Sequence, residues 1–244
     1  VILRITYSPE GFFHKGNRMI YRAGKLLSHF WSPQRGPYAL LILLFVTVFV
    51  ISPLLTSRIL MPVIMQIVSW LIIVAGAFNV SSRLSVRLIA LIMGILSIAS
   101  RLLDLSFSGI TLTEMDIFLS LGMLSIFTLL MTKNFLITGR TWEHRIAAAV
   151  AVYLMLGLIW ARLYDAVELL APGAFHTPAG EAVTPASLVY FSFVTLSTLG
   201  YGDFAPVNIV ARNLAVLEAI TGQLYLVILI SRLVSEQLMK PIDK

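Results

Sequence analysis

The chain has 244 residues, 58% hydrophobic and only 12% charged. A soluble domain is about 45–50% apolar and about 25% charged, so the composition argues against a water-soluble enzyme and against a disordered chain, and leaves a polytopic membrane protein. Cysteine is absent, which removes disulfides and thiolate chemistry, and the net charge of +6 informs through its placement rather than its sum.

The first 37 residues are basic and carry Arg4, Lys15, Arg18, Arg22, Lys25 and Arg35. Within them, Asn17 to Trp31 has two readings. As an interfacial helix it sets Arg18, Arg22 and Lys25 against lipid phosphates while Ile20, Leu27, Phe30 and Trp31 dip inward. As a plain basic tail it serves topology alone. Six apolar runs follow, at 38–55, 62–80, 86–106, 115–137, 145–168 and 207–235. Each is close to or above the roughly 20 residues that cross about 30 Å of hydrocarbon. Their continuous apolarity does not fit barrel strands, which alternate with period two, so helices are predicted. Pro37 and Pro62 stand where a first turn accepts proline, and Gly139 fits a helix stop. The first run lacks a small-residue cleavage pattern and is not expected to be a signal peptide.

Fourteen of the eighteen Lys and Arg residues fall on one side of this topology. Arg58, Arg101, Arg162 and Arg212 are the remainder. The positive-inside rule then puts both termini in the cytoplasm of a cell-membrane protein. The outer side gathers Asp104, Glu114, Asp116, Asp165, Glu168, Glu181 and Asp203, a set expected to concentrate cations near an outer mouth.

The 38 or so residues between the fifth and sixth runs do not fit a simple bundle. Residues 171–180 are turn-rich. Thr184-Pro185 reads as an N-cap followed by a first-turn proline. A helix from Pro185 to about Ser197 is expected, roughly 20 Å long at about 1.5 Å per residue and too short to cross. Such a helix enters and returns, which membranes tolerate where backbone is buried in protein or lines water.

After it comes Thr195-Leu-Ser-Thr-Leu-Gly-Tyr-Gly-Asp203. This stretch resembles the potassium-channel pore signature TxxTxGYGD, with Leu199 where valine or isoleucine is usual. The resemblance covers about residues 145–238: outer helix, pore helix, filter and inner helix. It implies that the carbonyls of Thr198, Leu199, Gly200 and Tyr201, with the Thr198 hydroxyl, form stacked rings that replace the water shell of K⁺. Gly202 closes the motif. Successive inward carbonyls need alternating backbone hand, which Gly200 and Gly202 supply without steric cost. Leu199 and Tyr201 are expected to wedge the filter against the pore helix, and the negative C-terminal end of that helix favours a cation. Asp203, Tyr190, Phe191, Val194 and Thr195 are the expected supports. Where relatives often carry a tryptophan pair, this chain has Tyr190 and Phe191. Tyr190 retains a donor for Asp203, and Phe191 has none. Val194 stands where some relatives have glutamate.

Pro206 and Val207 are expected to open the last helix, in which Gly222 lies 20 residues after Gly202, the place of the family's gating-hinge glycine. A mid-helix glycine costs about 1 kcal/mol relative to alanine. It serves either a bend or close packing against the pore helix, and both readings stand. Gln223, Leu226 and Ile230 are the cavity-lining candidates. Glu218 is an acid in an apolar helix, expected to make a structural bond behind the filter rather than touch an ion. The fourth run carries no arginine and only Lys133 near its inner end, so steep voltage dependence is not expected, since sensing needs charge moved through the field. Arg101 and Asp104 are read as a pair near the outer surface. His14, His29 and His144 are possible but weak pH sensors.

The predicted fold is an all-α membrane protein: six transmembrane helices plus a re-entrant pore helix, assembled as a homotetrameric channel. Its divisions are a cytoplasmic segment at 1–37, a four-helix domain at 38–140 in the voltage-sensor position, and a pore domain at 141–244. The predicted function is a K⁺-selective channel of bacterial type. Its partners are K⁺, its own copies and membrane lipid. No cofactor, resident metal or nucleic acid is expected. The rivals are a non-selective cation channel and a non-conducting sensory or transporter-associated subunit. A transporter should show a repeated pair of broken helices, and only one such segment is present. No catalytic triad or phosphate-binding loop argues for an enzyme. The chain stops soon after the sixth run, so regulation is expected to be intrinsic or to come through lipid, pH or a partner.

Overall fold

The computed structural model describes residues 110–137, 142–177 and 180–238, with isolated positions 42, 44–46, 88, 92, 95, 96 and 99, all helical. The N-terminal segment, the first three predicted runs as wholes, Gly139, and Arg101 with Asp104 lie outside the described residues, as does the side chain of His144.

Four helices and one short ladder make up the described part. Helix α1, Ile110–Ile137, corresponds to the fourth predicted run and begins five residues before it. Helix α2, Trp142–Leu170, is the fifth run, longer by three residues at its start and two at its end. Strand β1 is Phe175–His176. Helix α3, Pro185–Leu196, is the expected short helix. Strand β2 is Ala205–Pro206, and helix α4, Ile209–Leu238, is the sixth run. Stretches of α1, α2 and α4, namely Asp116–Lys133, Arg145–Leu170 and Ile209–Arg232, are long and apolar enough to cross a membrane.

The start of α4 corrects the sequence reading, which placed Pro206 and Val207 in its first turn. Pro206 instead pairs in the antiparallel ladder, Phe175 opposite Pro206 and His176 opposite Ala205. The Asn208 side chain then accepts from the Val210 N–H at 2.7 Å. A polar oxygen at this place satisfies one of the orphan N–H groups of a first turn.

Two apolar clusters hold the helices together. In the first, Met123, Leu124, Phe127 and Met131 of α1 pack on Ala148, Ala151, Val152 and Met155 of α2, with Leu44 added. Small alanines let the helix backbones approach, which is how helices associate where lipid offers no hydrophobic gain. The second cluster lies at the other end of α2, where Tyr164 meets Phe175, Leu188, Phe191, Phe204 and Ala211. It joins α2, the turn after it, α3, the segment around Phe204, and α4.

The turn after α2 is bound by one carboxylate. Glu168 accepts from the N–H groups of Gly173 and Ala174 at 2.8 and 3.0 Å. The Ala174 carbonyl accepts from Val207 and Asn208. Asp165 pairs with Arg162 at 3.1 Å, and Asp116 is buried. The expected acidic outer face is therefore largely engaged in structure. Among its described side chains, Glu181 and Asp203 stand exposed.

Candidate functional site

The site is the connection from α3 to α4. Thr184, extended at φ −125° and ψ 156°, caps α3 in a reciprocal box with Ser187. Pro185 then enters the first turn, where its missing N–H costs nothing. The other end of α3 sets the backbone that follows. The N–H of Ser197 points to the Phe193 carbonyl and that of Thr198 to Thr195, while Leu199 and Gly200 both point to Val194, at 2.9 and 3.3 Å. The first four residues after the helix thus turn their donors back to α3.

The consequence appears in the dihedrals. Thr198, Gly200 and Gly202 take φ of 59°, 57° and 78°. Every second residue of the segment is left-handed, so successive peptide units do not alternate direction as in a strand. Among the described residues, no backbone or side-chain donor reaches the carbonyls of Thr198, Leu199, Gly200 or Tyr201. Glycine adopts the left-handed region at no cost. Thr198 does not, and its conformation is an addition the sequence did not signal, because a β-branched residue rarely sits there.

Leu199 and Tyr201 are 59% and 67% exposed, so the chain's own α3 does not cover them. The remaining supports are intrachain. Tyr190 donates to Asp203 Oδ2 at 2.8 Å, and this bond holds the Tyr190 phenol above the usual tyrosine range. The other Asp203 oxygen accepts from the Phe204 N–H. Val194 is buried and Thr195 half-buried at the base. Phe191, which has no donor, serves as an aromatic anchor: its ring lies 5.0 Å from Tyr164 and 5.4 Å from both Phe175 and Phe204, between ring centres. Offset and edge-on pairs of this kind are worth about 0.5–1.5 kcal/mol each beyond area burial. Packing stands here where relatives carry an indole donor.

Behind the segment, α4 approaches α3 at Gly222. A Cβ there would lie 2.3 Å from the Leu196 carbonyl oxygen and 3.0 Å from its Cδ1. Of the two readings of this glycine, close packing has a direct steric basis. The Leu196 carbonyl also accepts from Tyr153 of α2 at 3.2 Å, and Tyr225 of α4 donates to the Ala149 carbonyl of α2 at 2.7 Å. Glu218 is fully buried, with Ser192 of α3 and Tyr164 of α2 each 2.5 Å from its carboxyl oxygens. It joins α4 to α3 through Ser192 and to α2 through Tyr164. Gln223, Leu226 and Ile230 are exposed on the chain.

Sequence reasoning found Glu218 but not its partners, Tyr164 and Ser192. A hydroxyl in an apolar helix is itself the signal for a buried partner, but the pairing spans 54 and 26 positions. Tyr153 and Tyr225 were missed for the same reason.

A family model described as "Ion channel" matches residues 146–236. Over 92 residues, 36% of this chain, the sequence is 29% identical to the inward rectifier potassium channel Kirbac3.1 of Paramagnetospirillum magnetotacticum. The matched stretch covers 28% of that protein's length. No solved structure matches. The matched domain runs from α2 through α4 and leaves α1 outside it.

Proposed function

We propose that this protein is a K⁺-selective channel subunit that conducts as a homotetramer and lacks a strong voltage sensor. The observation that carries the reading is the left-handed alternation at Thr198, Gly200 and Gly202, with the N–H groups of residues 197–200 turned back to α3. Such a backbone offers carbonyls to a cation from the side opposite α3. The likeness to a potassium channel over 92 residues favours K⁺. A single chain gives only one wall of such a site, and a closed ring requires symmetric copies. The exposed Leu199 and Tyr201 side chains and the exposed apolar surface of α4 fit burial against neighbouring copies and lipid.

In this arrangement Thr198, Leu199, Gly200 and Tyr201 coordinate K⁺, and Gly202 lets the chain turn out toward Asp203. Gln223, Leu226 and Ile230 face the cavity below. The protein sits in the cell membrane with both termini inside, on the positive-inside rule.

The test is the reversal potential of the purified protein in planar bilayers under a K⁺/Na⁺ gradient, with Gly200→Ala as control. The expected result is reversal near the K⁺ equilibrium potential, with current lost in the variant, because alanine resists the left-handed conformation. Reversal near zero with variant-sensitive current would mean a non-selective pore instead.

A further inference from the structure

Glu218 of α4, Ser192 of α3 and Tyr164 of α2 are all fully buried. Ser192 Oγ lies 2.5 Å from Glu218 Oε1 and 2.7 Å from the Gly157 carbonyl oxygen of α2. A serine hydroxyl carries one proton. O···O contacts this short are hydrogen bonds, normally about 2.5–3.0 Å, and each needs a proton between its oxygens. Ser192 can supply only one of the two. The Gly157 carbonyl has none to give. The second proton must therefore belong to the Glu218 carboxyl.

The assignment then closes without remainder. Glu218 Oε1–H donates to Ser192, and Ser192 donates to Gly157. Tyr164 donates to Oε2 at 2.5 Å. The titratable groups facing Glu218 are Tyr164 and Tyr153, both on α2. Helix α3 presents the Ser192 hydroxyl and no titratable group to it. Among the described residues no Lys, Arg or His pairs with it. An ionised carboxylate here would be a buried charge without a cation, which is strongly unfavourable.

We infer that Glu218 is a protonated positioning residue whose O–H, passed through Ser192 to Gly157, fixes the pore helix α3 between α2 and α4. That it positions an ion filter rests on the channel reading. The proton assignment rests on the oxygen distances alone.

Glutamine is the close mimic of a neutral glutamic acid: its NH₂ donates to Ser192 and its oxygen accepts from Tyr164. The first experiment compares infrared spectra of the full-length chain in lipid nanodiscs at neutral pH, wild type against Glu218→Gln. A carboxylic-acid C=O band present in the wild type and lost in the variant is expected. No such band in the wild-type-minus-variant difference would overturn the proposal. The second experiment measures K⁺ flux into vesicles. Glu218→Gln should stay within about twofold of wild type, while Glu218→Ala, and Ser192→Ala as the variant that leaves the carboxyl in place, should each fall about tenfold. If the glutamine variant falls as far as the alanine variant, charge rather than a donor is required and the proposal fails. If Ser192→Ala matches wild type, the positioning role fails. If even the wild type passes no K⁺, the channel reading fails, and the infrared band still decides the proton.

Discussion

Helices α1 and α4 are both long and apolar, yet they are attached to α2 in opposite ways. The hydroxyls of α1 at Ser120, Ser125, Thr128 and Thr132 all bond back to carbonyls of their own helix. None of these bonds reaches α2. The contact is made by Met123, Leu124, Phe127 and Met131, through non-directional packing. In the pore module the polar groups reach across instead: Tyr153 and Tyr164 from α2, Ser192 from α3, Tyr225 from α4. The difference teaches that directional bonds fix the register of α2, α3 and α4, whereas the α1 residues named here meet α2 through apolar packing. The matched ion-channel domain coincides with the bonded part.

The strongest way to break the bonded side is Gly222→Ala. Its Cβ would strike a backbone oxygen, which cannot rotate away, and overpacking of this kind costs about 1–3 kcal/mol. We expect a loss near the upper end, read as a lowered midpoint in thermal unfolding of the detergent-solubilised protein. Tyr225→Phe comes next. It deletes the bond to the Ala149 carbonyl without adding bulk, and about 0.5–1.5 kcal/mol should be lost in the same assay. The α1 side should answer with the opposite sign. Among the described residues nothing lies within 4 Å of a Cβ built at Gly122, so Gly122→Ala should gain about 0.5–1 kcal/mol from helix propensity. The smallest effect belongs to Thr128→Val, under about 0.5 kcal/mol, since the hydroxyl it removes bonds only within its own turn. A large loss at Thr128, visible in the same unfolding curves, would mean that α1 is registered by more than shape.

Much of the pore module was legible from sequence because its signals are local. Thr184-Pro185 announces the start of α3, and the structure puts it there. The glycines of the TLGYGD stretch announce left-handed backbone at 200 and 202. The start of α4 was misjudged because Pro206 reads equally well as a helix opening and as a ladder residue, and only its pairing with Phe175 decides. The acids of the outer side were read as a group that concentrates cations. Glu168 and Asp165 find their partners only once the turn and the helix face exist. Phe191 looked like a lost strut because its value depends on three rings from other elements. Leu199 and Tyr201 were assigned to packing that a lone chain does not provide.

The two-residue ladder between β1 and β2 has a mechanical meaning. Phe175 and His176 grip the strand that leaves the GYGD turn, and the Ala174 carbonyl adds two more bonds to the same strand. The external loop and the exit of the proposed filter are therefore geared together, as a lever whose short arm ends at Asp203. A bulky reagent seated on His176 would deliver its push to the proposed filter exit through the ladder's backbone pairing rather than through a slack tether.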